Sequence, residues 1–399
     1  MASLPLALYL HIPFCQRKCP YCDFNTYAGQ ERLYDAYVQA LSRAVREDGE
    51  RRGHPRVRSL FLGGGTPTVL EPAHLRAIFA AVREGFRLQE DAEITSEANP
   101  GTVDQSRFQA LRACGVNRLS MGVQSFDDEE LRFLGRIHTA AEAEQAMQMA
   151  RRAGFDNINL DLIFGLPGQR MATWQRTLDR AIALAPRHLS LYSLTVEPDT
   201  PLATWVARGQ VAEPDPDLAA DLYELAGERL AAAGYHQYEI SNWAEGPLEA
   251  DGLPRYACRH NLVYWRNEPY LGYGPGAHSY DGRRRWSTVR SVPTYIAAVE
   301  RGETPIDFQE NISPELEMGE TMMLGLRLVG VGVSRQDFRR RFGRDVADVY
   351  QAELAELAAR ELLEITAERV RLTPAGRLLG NEVFAAFLPD EEGADMDAI

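Results

Sequence analysis

Three cysteines near the start of the chain are the residues whose type and spacing most clearly carry chemistry. Cys15, Cys19 and Cys22 form a CxxxCxxC pattern. Thiolates are soft ligands that suit iron–sulfur clusters, and three of them leave one iron of a [4Fe–4S] cubane without a protein ligand. An open metal position leaves room for a bound molecule. Zinc is the alternative, because it takes four ligands and His11 could supply the fourth.

Cysteine usage and charge limit where the protein works and what it binds. The chain has five cysteines, an odd number with three clustered, which is not the pattern of a secreted disulfide framework. We therefore expect a cytoplasmic protein in which Cys114 is an inert core residue. The net charge of −14 disfavours nucleic-acid binding. No apolar run approaches the ~18 residues of a membrane-spanning helix.

The first half of the chain alternates short apolar runs with helical patterns. This alternation predicts βα units and an α/β fold with a parallel sheet whose strands are buried on both faces. The predicted strands are Leu6–Ile12, Val57–Leu62, Ala92–Glu97, Arg118–Val123, Asn157–Phe164 and His188–Val196. The predicted helices are Glu31–Arg52, Pro72–Gly85, Val103–Ala113, Ala140–Ala153 and Met171–Leu184.

Polar or glycine-rich features follow nearly every predicted strand. The carboxyl ends of parallel strands build the active site of a β/α barrel, so these features predict one site at one rim. Strand by strand, they are the cysteine loop, Gly63–Pro67, Glu97–Pro100, Gln124–Phe126, and Asp161 with Gly165–Gly168.

The pattern changes after about residue 200. Residues 1–245 are expected to form the barrel, and residues 246–310 an aromatic and glycine-rich connecting region. Residues 311–388 predict a small, mostly helical domain that resembles a winged helix, with helices Glu315–Leu326, Ser334–Arg341, Val346–Arg360 and Pro374–Phe387. The acidic charge favours a structural or docking role for this domain over DNA binding. The acidic segment 389–399 predicts a disordered tail.

Several motifs together resemble radical-SAM proteins. They are Tyr9-x-His11-Ile12-Pro13-Phe14-Cys15, Tyr21-Cys22-Asp23-Phe24, Gly63-Gly64-Gly65-Thr66-Pro67, Gly122-Val123-Gln124-Ser125-Phe126 and Leu160-Asp161-Leu162-Ile163-x-Gly165-Leu166-Pro167. The resemblance is strongest to the branch of oxygen-independent coproporphyrinogen III oxidase and the HemW-type haem chaperones, and it extends from Tyr9 to about Phe387. It implies a partial (β/α)6 radical-SAM barrel in which the three cysteines hold a [4Fe–4S] cluster that binds S-adenosylmethionine (SAM).

The resemblance also implies roles at the SAM site. Arg136 suits the SAM carboxylate, Asp161 and Gln124 the ribose hydroxyls, and Tyr9 and Tyr21 the sulfonium or adenine. The turn after the second strand is expected to let backbone approach the methionine part closely. The other residues expected in this site are Gly64, Gly65, Thr66 and Glu97. An electron donor is implied: a flavodoxin, a ferredoxin or a reductase.

Two departures separate this chain from the oxidase. The oxidase resemblance implies a longer segment before Tyr9, and usually a fourth cysteine two residues after the third, where this chain has Phe24. The run from His260 to Trp265 resembles a His-Asn-x-x-Tyr-Trp motif associated with haem binding in the chaperone branch. We therefore expect haem as a third cofactor with His260 as its axial ligand, and Cys258 and His278 remain competing ligands.

The resulting functional hypothesis is a haem chaperone that binds haem, a [4Fe–4S] cluster and SAM and transfers haem to an acceptor protein. An acceptor at a membrane would bring peripheral membrane contact. The alternatives are an oxygen-independent coproporphyrinogen III oxidase and a radical-SAM enzyme acting on haem itself. In each case the protein is expected to cleave SAM reductively.

Overall fold

The centre of the molecule is a parallel sheet, as seen in a computed structural model that describes residues 5–389. Its strands are β1 (Leu6–Ile12), β2 (Arg56–Gly64), β3 (Arg87–Ala98), β4 (Arg118–Gln124), β5 (Asn157–Phe164) and β6 (His188–Ser193). The helices between them are α1 (Tyr34–Arg51), α2 (Pro72–Gly85), α3 (Gln105–Ala113), α4 (Asp128–Phe133), α5 (Ala140–Arg152) and α6 (Met171–Ala183). The predicted α/β fold is confirmed, and β1, β5 and α2 have the predicted bounds.

The apolar runs of the strands explain this arrangement. Leu8 and Leu10 of β1 and Leu60 and Leu62 of β2 are fully buried, and the helices pack against the outer face of the sheet. Each such side chain contributes roughly 1.5–3 kcal/mol when it leaves water. A strand with this composition is stable only where both of its faces are covered.

The second half of the chain extends both edges of the sheet. Its helices are α7 (Pro201–Ala207), α8 (Pro216–Ala232), α9 (Arg259–Trp265) and α10 (Val292–Glu300), and its strands are β7 (His236–Glu239), β8 (Asn242–Ala244), β9 (Tyr270–Tyr273), β10 (His278–Tyr280), β11 (Arg284–Thr288) and β12 (Ile306–Asn311). Strand β9 pairs parallel with β1, whereas β10, β11 and β12 continue antiparallel from it. The segment 246–310, expected to be a connection, thus supplies four strands of the twelve-stranded sheet.

The C-terminal part is mostly helical, as predicted. Its elements are α11 (Pro314–Gly325), β13 (Val333–Ser334), α12 (Arg335–Phe342), α13 (Val346–Val349), α14 (Gln351–Ala359), β14 (Leu363–Ile365), β15 (Arg369–Leu372), α15 (Pro374–Leu378) and α16 (Gly380–Ala385). The three strands form a small antiparallel sheet. The helix predicted over Val346–Arg360 is broken at Tyr350, whose backbone leaves the helical region. Apart from Pro389, the tail expected to be disordered lies outside the described residues.

Within residues 5–389, no helix combines the length and the apolar character needed to cross a bilayer.

Arg327, just after α11, ties the C-terminal part to the barrel. Its guanidinium donates twice to one carboxylate oxygen of Glu239, at 3.0 and 2.6 Å, and Glu239 is fully buried at the end of β7. The same guanidinium lies 4.5 Å from the ring centroid of Trp265 and 5.9 Å from that of Phe384. One cation therefore connects β7, α9 and α16.

We expect Arg327→Ala to destabilise the protein by about 3–5 kcal/mol, because it leaves the buried Glu239 carboxylate without its counter-ion. The matched control is Arg371→Ala, which breaks the solvent-exposed pair with Glu364 and should change stability little. Urea unfolding followed by circular dichroism measures both. Equal losses in the two variants would contradict the role assigned to Arg327.

Candidate functional site

The three cysteines lie in the loop after β1, at the carboxyl end of the parallel sheet. The Cys15 amide donates to the carbonyl of Tyr27 at 3.0 Å, and the Cys22 amide donates to that of Cys19 at 3.2 Å, so the loop folds back on itself. All three thiols are partly exposed and free. They line one cavity of about 510 Å³, a size typical of small-molecule sites. We call this the first cavity.

The glycine-rich turn after β2 is pressed against the end of β1. The amides of Gly65 and Thr66 donate to the carbonyls of Ile12 and Phe14, both at 2.8 Å. A Cβ on Gly65 would lie 2.5 Å from the Phe14 oxygen, and one on Gly64 would clash with a histidine ring of β1. These glycines line the first cavity, as expected. In this structure, glycine is needed at both positions because the turn packs closely on β1.

Two polar side chains contact the cysteine sulfurs. The Thr66 hydroxyl donates to Cys15 Sγ at 3.6 Å, and Arg136 Nη1 donates to Cys19 Sγ at 3.3 Å. Burial raises the pKa of the Cys15 thiol, and the Thr66 hydrogen bond opposes that rise. Arg136 thus lines the first cavity and contacts a cysteine, and its expected role at the SAM carboxylate stays a prediction.

Two carboxylates face the first cavity from the strands. Asp161 accepts from Asn159 Nδ2 at 2.8 Å and from the Ser120 hydroxyl at 3.1 Å, and Glu97 accepts from the Gly64 amide at 3.1 Å. Burial raises the pKa of both groups; that of Glu97 rises to about 8, because Asp161 also repels its charge. A ligand with hydroxyls or a positive charge would satisfy this pair.

Gln124 and Tyr21 also reach the first cavity, as expected. Gln124 Oε1 is buried and has no hydrogen-bond partner within the described residues, and the residue has a left-handed φ of 70°. A buried acceptor without a partner, on a strained backbone, is typical of a ligand site.

Several polar residues that line the same cavity were not predicted from the sequence. One of them is Arg118, which is 2% exposed and whose Nε has no hydrogen-bond partner within residues 5–389. The others are Ser120, Asn159, Ser190 and Asn261. The alternation of side chains along a strand could have identified one of them. Asn159 precedes Asp161 by two residues in β5, so both side chains point into the barrel.

A second cavity of about 380 Å³ adjoins the first and shares Phe24, Gly64 and Glu97 with it. Tyr9 lines the second cavity and not the first, and its expected place beside the sulfonium or adenine of SAM stays a prediction. Its hydroxyl is hydrogen-bonded to a β1 histidine, which holds the ring on this side. His278 lines the same second cavity.

His260, the expected axial ligand of the haem iron, is buried in this structure, and its role stays a prediction. The residue is 1% exposed, Nδ1 is 3.0 Å from the Ser59 hydroxyl, and Nε2 is 3.0 Å from the Tyr264 hydroxyl. Burial lowers its pKa to about 3. Cys258 is equally buried, and its thiol donates to Glu93. Of the three candidate haem ligands, His278 alone is exposed.

The fold and the cysteine-bearing rim define a protein of the radical SAM superfamily, a class that implies a [4Fe–4S] cluster and SAM. The family description "Radical SAM superfamily" matches residues 9–181, and "HemN C-terminal domain" matches residues 312–379. The solved structure of coproporphyrinogen III oxidase (HemN) from Escherichia coli, a radical SAM enzyme, superposes with a TM-score of 0.82 at 25% identity. That superposition covers 97% of this chain and 91% of the other.

Comparison with known sequences identifies the family within this superfamily. The heme chaperone HemW of Bacillus subtilis is 38% identical over 381 residues, which are 95% of this chain and 98% of that protein. The heme chaperone HemW of Escherichia coli is 39% identical over 391 residues, covering 97% and 99% of the two chains. The chain belongs to the HemW family, which confirms the resemblance seen in its motifs.

Proposed function

We propose that this chain is a haem chaperone that holds haem next to a [4Fe–4S] and SAM site and delivers it to an acceptor protein. The observation that carries the proposal is the likeness to HemW over nearly the whole chain, at 38% and 39% identity, against 25% to the oxidase. Phe24 supports the same choice, because it occupies the position of the oxidase's usual fourth cysteine. The second cavity offers space for a further ligand.

In this proposal Cys15, Cys19 and Cys22 hold the cluster. Their loop lies at the rim of the first cavity, and the Thr66 and Arg136 contacts stabilise negative charge on the sulfurs. The cluster and SAM together supply radical chemistry when an electron arrives. A flavodoxin, ferredoxin or reductase would provide that electron.

The strand residues of the first cavity bind SAM in this proposal. Asp161 accepts hydrogen bonds from the ribose hydroxyls, Gln124 accepts another through its unpartnered oxygen, and Tyr21 covers the site. Glu97 lines both cavities and would lie next to the bound SAM. The barrel wall excludes water from these polar contacts, which strengthens them. We place this activity in the cytoplasm.

The cluster proposal predicts that alanine at any of Cys15, Cys19 or Cys22 abolishes the cluster, because each removes a thiolate ligand. Cys114→Ala is the matched control, because that buried cysteine lies away from the site. Iron and sulfide content and visible absorbance after anaerobic reconstitution measure the effect. A full cluster in any of the first three variants would refute the assignment.

The SAM proposal predicts that Asp161→Asn weakens SAM binding by about tenfold or more. A hydrogen bond to a charged group contributes about 1.5–3 kcal/mol, and about 1.4 kcal/mol corresponds to tenfold. Calorimetric titration under argon gives the affinity, and the cluster content should stay unchanged. The control is the exposed Asp156→Asn. Equal SAM affinity in both variants would remove Asp161 from the site.

The chaperone proposal predicts that the wild-type protein binds haem at about one per chain and does not decarboxylate coproporphyrinogen III. Anaerobic incubation of the reconstituted protein with coproporphyrinogen III, SAM and a reductant, followed by porphyrin chromatography, tests the second part. Catalytic formation of protoporphyrinogen IX would replace the chaperone with the oxidase. Altered haem products in the same assay would favour an enzyme acting on haem.

A further inference from the structure

A third cavity, of about 240 Å³, lies between α1, α10 and the strands β9 to β11. The last turns of α1 line it, and α1 ends at Arg51, shortly before β2 begins at Arg56. It therefore lies toward the amino ends of the parallel strands, whereas the cysteine loop follows their carboxyl ends. Within the described part of the chain, this third cavity shares no lining residue with the first or the second. A molecule bound there would not compete with SAM.

Aromatic side chains form one wall of the third cavity. Tyr273, Trp286 and Tyr295 line it, and each is at most 8% exposed. Leu271 and Val299 add aliphatic surface to the same wall. Rings of this kind offer a large and rigid apolar contact area, which suits a planar ligand.

Asp48 fixes two arginines at the rim of the third cavity. Its carboxylate accepts from Arg51 Nη2 at 3.2 Å, from Arg52 Nε at 2.7 Å and from the Tyr273 hydroxyl at 2.7 Å. Three donors thus share this carboxylate, so its acceptor capacity is used within the protein. The two guanidinium groups are held in place with further N–H groups available to a ligand.

Arg284 brings a third guanidinium to the cavity. Its central carbon lies 4.9 Å from the centroid of the Trp286 ring, and its buried Nε has no hydrogen-bond partner within residues 5–389. The Asp281 carboxylate is 3.9 Å from that nitrogen, and it accepts the backbone amides of Arg283 and Arg284 at 3.0 and 2.8 Å. A buried donor without an acceptor is unfavourable, so an anion beside Arg284 would stabilise it.

The other two carboxylates of the lining are neutralised by arginines outside it. Glu47 pairs with Arg43 at 2.6 Å, and Glu303 pairs with Arg301 at 2.6 Å. The third cavity therefore presents three arginines and one shared carboxylate, in a chain whose net charge is −14. This local excess of positive charge favours an anionic ligand.

We infer that the third cavity binds a small planar aromatic molecule that carries one carboxylate or phosphate group. The ring of the ligand lies among Tyr273, Trp286 and Tyr295, and its anion accepts hydrogen bonds from Arg284 and Arg52. The guanidinium fork matches the oxygens of both anions, and the bonds are strengthened by charge. This binding site goes beyond the proposed chaperone function and does not depend on it.

Calorimetric titration of the full-length, cluster-containing protein tests the inference, with SAM present to fill the first cavity. The probes are phenyl phosphate and phenylacetate, and we expect saturable binding of at least one. Benzyl alcohol has the ring without the charge, and inorganic phosphate has the charge without the ring. Both should bind at least about tenfold more weakly than the better probe. Tighter binding of phenyl phosphate would identify a phosphate ester as the ligand, and tighter binding of phenylacetate a carboxylate.

Arg284→Ala should weaken binding of the better probe by about tenfold or more, because it removes a charged hydrogen-bond donor. Arg284→Lys keeps the charge without the fork and should have an intermediate affinity. The matched control is Arg283→Ala, which removes the neighbouring exposed arginine outside the lining and should change the affinity less than about twofold.

Equal affinities in Arg284→Ala and Arg283→Ala would overturn the site, as would failure of both aromatic anions to bind the wild-type protein. Equal affinities for inorganic phosphate and phenyl phosphate would overturn the aromatic ligand, because the ring would then contribute nothing. Each of these results would leave the haem, cluster and SAM proposals unaffected, since the third cavity is separate from their sites.

Discussion

The site depends on close contact between the end of β1 and the turn after β2. Gly65 and Thr66 donate their amides to Ile12 and Phe14, immediately before Cys15, and no side chain larger than hydrogen fits at Gly65. This contact fixes where the cysteine loop leaves the sheet. It also brings the Thr66 hydroxyl to Cys15 Sγ. The position of the cysteine loop relative to the strand residues of the first cavity is therefore set by backbone packing.

A second constraint is that charge inside the barrel must be compensated. The buried Glu93 carboxylate accepts the amides of Arg259 and His260 at 3.1 and 2.9 Å, at the start of α9. Helix amides are suitable partners for a buried anion, so α9 closes the barrel from inside. The His-Asn-x-x-Tyr-Trp run thus contributes to both cavities: Asn261 lines the first and Tyr264 the second.

The sequence predicted what depends on local pattern. The strands β1 and β5 are continuous apolar runs, and their bounds were correct, as was the rim that gathers the cysteines, Gln124 and Asp161. Strand β9 was not predicted. A four-residue strand among glycines and prolines shows little periodicity, and its partner β1 lies more than 250 residues earlier in the chain. The burial of His260 was also not predicted, because it depends on a contact between residues far apart in the sequence. Its partner Ser59 is 201 residues away, and a motif does not reveal whether its nitrogens are free.

The central claim is that haem and the cluster occupy adjacent cavities at one end of the barrel. Diffraction from crystals of the haem-loaded, cluster-containing protein, measured at the iron absorption edge, locates every iron directly. The account predicts anomalous density enclosed by Cys15, Cys19 and Cys22, and a separate single iron peak in the second cavity. An isolated iron peak on a surface remote from both cavities would contradict it.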